Sequence, residues 1–129
     1  MKALVFIAVA VVLVLLVKRL LAGPSISAAQ AQERVAAGTA VLVDVREPGE
    51  WGSGVAAPAL LLPMSDLQGA RAKWGPALEA NRDKEFIVYC ASGMRSGVVS
   101  GILRKEGCRA VNCGGFGSWR AAGLPVRQP

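Results

Sequence analysis

The stretch best suited to chemistry is Phe86 to Gly97, FIVYCASGMRSG. Four strand-forming residues, Phe86 to Tyr89, lead into Cys90; small, flexible residues follow, and an apolar-periodic segment opens at Arg95 and Ser96. The pattern predicts a strand, a tight loop and a helix. A cysteine at that strand end has its sulfur where loop N–H groups and the positive helix terminus converge, which favours the thiolate. A free thiol with a pKa of about 8.5 is only a few per cent ionised at neutral pH, and a drop of about two units would make the anion the majority form. The competing role for Cys90 is that of a small apolar side chain closing a core strand.

Much other chemistry is excluded. The chain has no histidine, so Ser-His-Asp and Cys-His systems, histidine-containing zinc sites and imidazole relays are ruled out. Its cysteines are Cys90, Cys108 and Cys113, an odd number with no CxxC. They form neither a disulfide framework nor a zinc ribbon, and they favour a reducing compartment. No metal or cofactor is expected. The formal charge is +6, but Lys2, Lys18 and Arg19 lie in an apolar leader, leaving 12 basic against 9 acidic residues from Gly23 onward. The basic residues are scattered and no aromatic residue interleaves with a basic run, so nucleic acid is not an expected partner.

The elements that must position Cys90 can be read in order. Ala3 to Val17 carries no polar side chain, and Lys18 and Arg19 follow. With the next residues the run reaches about 30 Å as a helix, the thickness of a hydrocarbon core. A cleaved signal peptide is the competing reading, but a basic pair stands where small residues should mark cleavage. Residues 1–22 are therefore expected to form an uncleaved single-pass anchor in the cell membrane. Lys2 and the terminal amine nearly balance Lys18 and Arg19; Arg34 tips the orientation toward a cytoplasmic domain, an exported one being the alternative. Residues 23–26 read as a linker hinged at Gly23 and Pro24, and residues 27–127 as one domain.

Ser27 is placed to cap a helix over 28–37 that Gly38 ends. Thr39 to Val45 reads as a buried strand, followed by a Gly-rich loop over 50–59 and a short strand over 60–62. Ser65 is read as the cap of a helix over 66–73, which Gly75 and Pro76 interrupt before a short turn over 77–80. After Cys90 come a helix over 96–105, a strand over 109–112, and a Gly114–Gly115 turn into a last helix containing Trp119. Strands alternating with helices predict a parallel sheet whose functional groups gather at the carboxyl ends of its strands. Asp44, Arg46, Cys90 and the Gly114–Gly115 turn should then share one edge.

Four blocks carry a family resemblance: VLVDVREPGEW (Val41 to Trp51), the spacing of Gly54 to Pro63, VYCASGMRSG (Val88 to Gly97) and CGGFGSW (Cys113 to Trp119). Together they resemble the single-domain rhodanese-like sulfurtransferases over nearly the whole domain. The resemblance implies a three-layer α/β/α fold with a central, mainly parallel five-stranded sheet. It also implies an enzyme in which the Cys90 thiolate takes the outer sulfur of a small donor such as thiosulfate and passes it, as a persulfide, to cyanide or a thiol. Such an anion needs no general base, only N–H groups pointing inward from the loop Ala91, Ser92, Gly93, Met94, Arg95 and Ser96. Arg95 would seat the donor or brace the loop, Asp44 and Arg46 would support it, and Met94 would lie at the mouth or in solvent. One departure is that Val55 follows Gly54 where the family often has a histidine.

Three other functions compete. Related phosphatases and arsenate reductases place five residues between cysteine and arginine, against four here, Ala91 to Met94; a smaller cradle suits sulfur better than a tetrahedral oxyanion. A non-catalytic membrane-tethered module would not need Cys90. A redox switch would need Cys113 as a resolving thiol, against a structural place in a turn; Cys108 carries no functional signal. Trp51 and Trp119 are expected to pack in the core.

Overall fold

The computed structural model describes residues 1–21 and 23–129. Helix α1 spans Lys2–Leu21, carries the unbroken apolar run from Ala3 to Val17, and is exposed wherever its side chains are described. Helix α2, Ala28–Ala36, starts where expected. The Ser27 hydroxyl accepts the Gln30 N–H while the Gln30 side chain accepts the Ser27 N–H, a reciprocal capping box.

The sheet runs β3 (Leu60–Leu61), β1 (Ala40–Asp44), β4 (Glu85–Cys90), β5 (Ala110–Gly115), all parallel. It has four strands where five were expected. Beyond β5, the fifth position is filled by one residue: Ser25 bridges Asn112 in parallel, with the Asn112 N–H donating to Pro24 O at 3.3 Å and the Ile26 N–H donating to Asn112 O at 3.0 Å. The segment read as a hinge is therefore stitched to the sheet edge. A separate antiparallel ribbon joins β2 (Val55–Ala56) to β6 (Val126–Arg127).

Alternation along the strands divides the core into two faces. Leu42, Ile87 and Tyr89 point toward α2 and α6 (Phe116–Ala121), where they meet Ala31 and Trp119. Val43, Phe86, Val88 and Cys90 point the other way, toward α3 (Met64–Leu67), α4 (Trp74–Ala80) and α5 (Met94–Lys105), where they meet Leu67, Trp74, Val99 and Leu103. This is the α/β/α layering that the alternating elements predicted.

Several boundaries differ from the sequence reading for identifiable reasons. Ser65 lies inside α3, which starts after Pro63, and its hydroxyl donates to Glu47 at 2.8 Å instead of capping. Gly75 and Pro76 do not interrupt α4. Pro76 sits in the first turn, where its missing N–H removes no helical bond, and Asp66 Oδ2 accepts the Lys73 and Trp74 N–H groups from across the turn. Pro48–Ser53 forms a 3-10 helix that runs into the loop expected over 50–59. Helix α5 starts at Met94, two residues early, so the loop after Cys90 is only Ala91 to Gly93.

Leu42 is fully buried in β1, between β3 and β4. Leu42→Ala should lower unfolding free energy by about 2–5 kcal/mol in urea titrations of the detergent-solubilised chain, whereas a loss below about 1 kcal/mol would show that the site collapses around the truncation.

Candidate active site

Strand β4 delivers Cys90 fully buried at its carboxyl end, and the three-residue loop folds back over the sulfur. The Gly93 N–H donates to Sγ at 3.0 Å, and the buried Ser96 hydroxyl lies 3.4 Å from it. Burial pushes the thiol pKa up. The Ser96 hydroxyl and the N–H groups of Ser96, Ser92 and Gly93 outweigh that, and the net shift is downward. Of the six expected cradle residues, Ser92, Gly93 and Ser96 thus bear on the sulfur. Ala91, Ser92 and Met94 are exposed, Met94 being 79% accessible, and the Met94 N–H donates to Ser92 Oγ at 3.4 Å.

Glycine is required in this loop and beside it. Gly93 has φ +92° and packs against Gly114, while a Cβ on Gly115 would lie 2.4 Å from Ala91 O. The glycine pair therefore lets the end of β5 touch the loop. Asn112, which the sequence reading passed over, fastens the same contact. Its Nδ2 donates to Gly93 O at 2.9 Å, its Oδ1 accepts the Gly114 N–H at 2.9 Å, and the same Oδ1 lies 2.8 Å from Ser96 Oγ, whose one proton has Oδ1 and Cys90 Sγ as alternative acceptors. An asparagine in a short strand gave no local signal of this role, which depends on parallel pairing of β4 with β5.

Arg95 does not stand free. Its Nη1 and Nη2 each lie 2.7 Å from a Glu50 oxygen, forming a bidentate pair. Glu50, from the 3-10 helix, was also missed, and only the fold brings it to a residue 45 positions away. The Arg95 fork holds its carboxyl at about 2, and Glu50 in turn raises the Arg95 pKa. The pair ties the start of α5 to the 3-10 helix.

Asp44 and Arg46 lie one step behind. Both are buried, with Arg46 Nη2 2.8 Å from Asp44 Oδ2 and Nε 3.1 Å from each carboxylate oxygen. The Tyr89 hydroxyl donates to Asp44 Oδ2 at 2.7 Å and accepts the Ala56 N–H at 2.9 Å; burial, then Asp44, raise its pKa. Arg46 also donates to Gly54 O at 2.8 Å and Glu50 O at 3.3 Å, and its guanidinium stacks 4.5 Å from the Phe116 ring centroid. Asp44 thus fixes Arg46, Arg46 fixes the 3-10 helix, and that helix presents Glu50 to Arg95.

Cys113 packs on the opposite sheet face from Cys90, and burial, chiefly, raises its pKa to about 12. A buried neutral thiol pointing away from the loop fits the structural role and gives the redox switch no support. Trp119 is buried as expected; Trp51 is only half-buried, beneath the Lys73 ammonium. Val55, at the family histidine position, is buried in β2. Among the described residues, no cluster of three or more acidic or cysteine side chains could hold a metal ion.

The Rhodanese-like domain family model matches residues 27–122. A sulfurtransferase of Allochromatium vinosum is 34% identical over 91 residues, covering 69% of this chain and 79% of its own. Protein YqhL of Bacillus subtilis, itself uncharacterised, is 37% identical over 82 residues; the alignment covers 62% of this chain and only 60% of that relative. The crystal structure of a rhodanese-related protein from Thermoplasma volcanium superposes with a TM-score of 0.69 at 35% identity, covering 83% of this chain and all of that one.

Two outcomes follow from this geometry. Alkylation of Cys90 by iodoacetamide should show a midpoint lowered from that of an ordinary thiol, and Ser96→Ala should move it upward; an unchanged midpoint would remove the hydroxyl from the account. The depressed Glu50 pKa favours the folded state when the carboxylate is ionised. Its contribution is complete above the ordinary value of 4.5 and is lost as pH falls from there toward about 2. Acid-unfolding curves of Glu50→Gln should accordingly converge with wild type at the low end of that window and lie below it above 4.5.

Proposed function

Because the chain belongs to the rhodanese-like domain family, we propose that it is a rhodanese-type sulfurtransferase working through a Cys90 persulfide. The observation that carries the reading is a buried cysteine whose sulfur is met by the Gly93 N–H and the Ser96 hydroxyl, with no titratable base beside it. A site that stabilises a sulfur anion without moving a proton suits transfer between sulfur anions. In the first step the thiolate attacks the outer sulfur of thiosulfate, the S–S bond breaks, and sulfite leaves with the electron pair. The enzyme then carries Cys90–S–S⁻. In the second, cyanide or a thiolate attacks the outer sulfur and Cys90 departs as thiolate, so that no external oxidant or reductant is consumed. The loop amides and Ser96 hold the negative charge in both states.

Arg95 acts mainly through Glu50, bracing the loop, and the exposed Met94 borders the route by which donor and acceptor reach the sulfur. Helix α1 serves as a single-pass membrane anchor with the domain on the cytoplasmic side. Its length and the absence of any buried residue over Lys2–Leu20 support the anchor. Small-molecule donors and acceptors are the partners this reading requires.

Mass measurement after incubation with thiosulfate should show a gain of one sulfur atom that cyanide removes and that Cys90→Ser lacks; no gain with any sulfane donor would overturn the proposal. Arg95→Ala should slow sulfuration by anionic and uncharged donors to a similar degree, about ten- to a hundredfold. A loss confined to thiosulfate would instead make Arg95 a donor-binding residue.

A further inference from the structure

The tether leaves the chain little freedom in placing its domain. Helix α1 ends at Leu21, and Ser25 is already bridged to Asn112. Four Cα steps separate these residues, at most about 14 Å. Pro24 to Ile26 run parallel to β5, so the chain enters alongside the amino-terminal ends of the strands and travels toward their carboxyl ends. Gly23 confirms the point of entry: the Arg104 guanidinium lies so close that a Cβ on Gly23 would be 2.6 Å from Nη2. Any bilayer that α1 spans must therefore meet the bottom of the sheet. Cys90 stands at the other end of β4, about 17 Å from Glu85 along a six-residue strand.

The bottom of the sheet is also where cations without carboxylate partners gather. A cleft of about 480 Å³ beside Pro24, Ser25 and Ile26 is lined by Arg34, Arg104 and Arg109. Arg34 is paired with Glu85, and nearby Glu79 and Glu106 are paired with Arg82 and Arg71. Among the described residues Lys84, Arg104, Lys105 and Arg109 have no ion pair, against Glu33 and Asp83 as nearby carboxylates likewise without one. Arg104 donates to the carbonyl of Ala110, and Arg109 to that of Asp83. Lys18 and Arg19 close α1 on the same side of the tether.

We propose that this surface docks on anionic phospholipid headgroups, so that the Cys90 loop faces the aqueous phase and meets water-borne donors and acceptors. The inference rests on α1 being a membrane anchor. Each unpaired basic residue near an anionic leaflet contributes about a fivefold factor in occupancy, an effect confined to roughly a Debye length, about 8 Å at physiological salt. The short tether holds Arg104 and its neighbours near that range.

The test uses the full chain reconstituted into vesicles of phosphatidylcholine alone or with phosphatidylglycerol added. Retention in the vesicles through alkaline carbonate is measured first; release would overturn the anchor and the docking together. A membrane-impermeant amine reagent is then applied, and lysine modification is followed by mass spectrometry. Lys105 should react about fivefold or more slowly in the anionic vesicles, while Lys73, beside Trp51, keeps its rate. Raised salt, or Arg104→Glu with Arg109→Glu, should restore the Lys105 rate. The double variant should still take sulfur from thiosulfate, and the salt arm tests the same contact without mutation. Retained protein whose Lys105 reacts equally in both lipids would overturn the docking and leave the anchor standing. Equal slowing of Lys73 would overturn the orientation.

Discussion

A buried ion pair sets the geometry on which everything near the sulfur depends. Removing Asp44 and Arg46 from water costs several kcal/mol per ion, and such a pair persists only where every remaining donor and acceptor is satisfied. Here the accounting is nearly complete: three contacts join the two side chains, Tyr89 takes one carboxylate oxygen, and the guanidinium reaches the carbonyls of Gly54 and Glu50. Removing either partner would strand a charge in the core. The pair therefore fixes the course of the 3-10 helix, and through Glu50 the position of Arg95.

The active loop is held from both sides by different means. On one flank a charged fork, Glu50 with Arg95, grips the start of α5. On the other, Asn112 grips Gly93 and Ser96 by uncharged bonds, and two glycines allow the backbones to touch. The sulfur between them accepts the Gly93 N–H and lies 3.4 Å from the Ser96 hydroxyl. These donors act against the upward push of burial, and the net shift of the thiol pKa is downward.

Much of this was legible in the sequence because it is local. The β-branched strands, the Ser27 cap and the strand-loop-helix around Cys90 each declare themselves within a few residues, and the family blocks placed Asp44 and Arg46. What escaped was long-range. Glu50 meets Arg95 and Asn112 meets Gly93 only once β1, β4 and β5 are aligned, and Asp66 caps α4 from the preceding helix, so neighbouring residues gave no hint. Pro76 misled because a proline ends a helix in the interior but is harmless in the first turn. Gly23 and Pro24 read as a hinge because backbone bonds to a distant strand leave no compositional trace.

Those bonds have a consequence for solubility. With Pro24 to Ile26 in place, the outer edge of β5 has its Asn112 N–H and C=O covered. A chain trimmed to begin at Ser27, the natural choice for producing the domain alone, would uncover both groups on an edge strand whose neighbours are Val111 and Cys113. Open edges of that kind template pairing between molecules. The few residues following the helix thus act as a selvedge, finishing the sheet's margin so that it does not join to another.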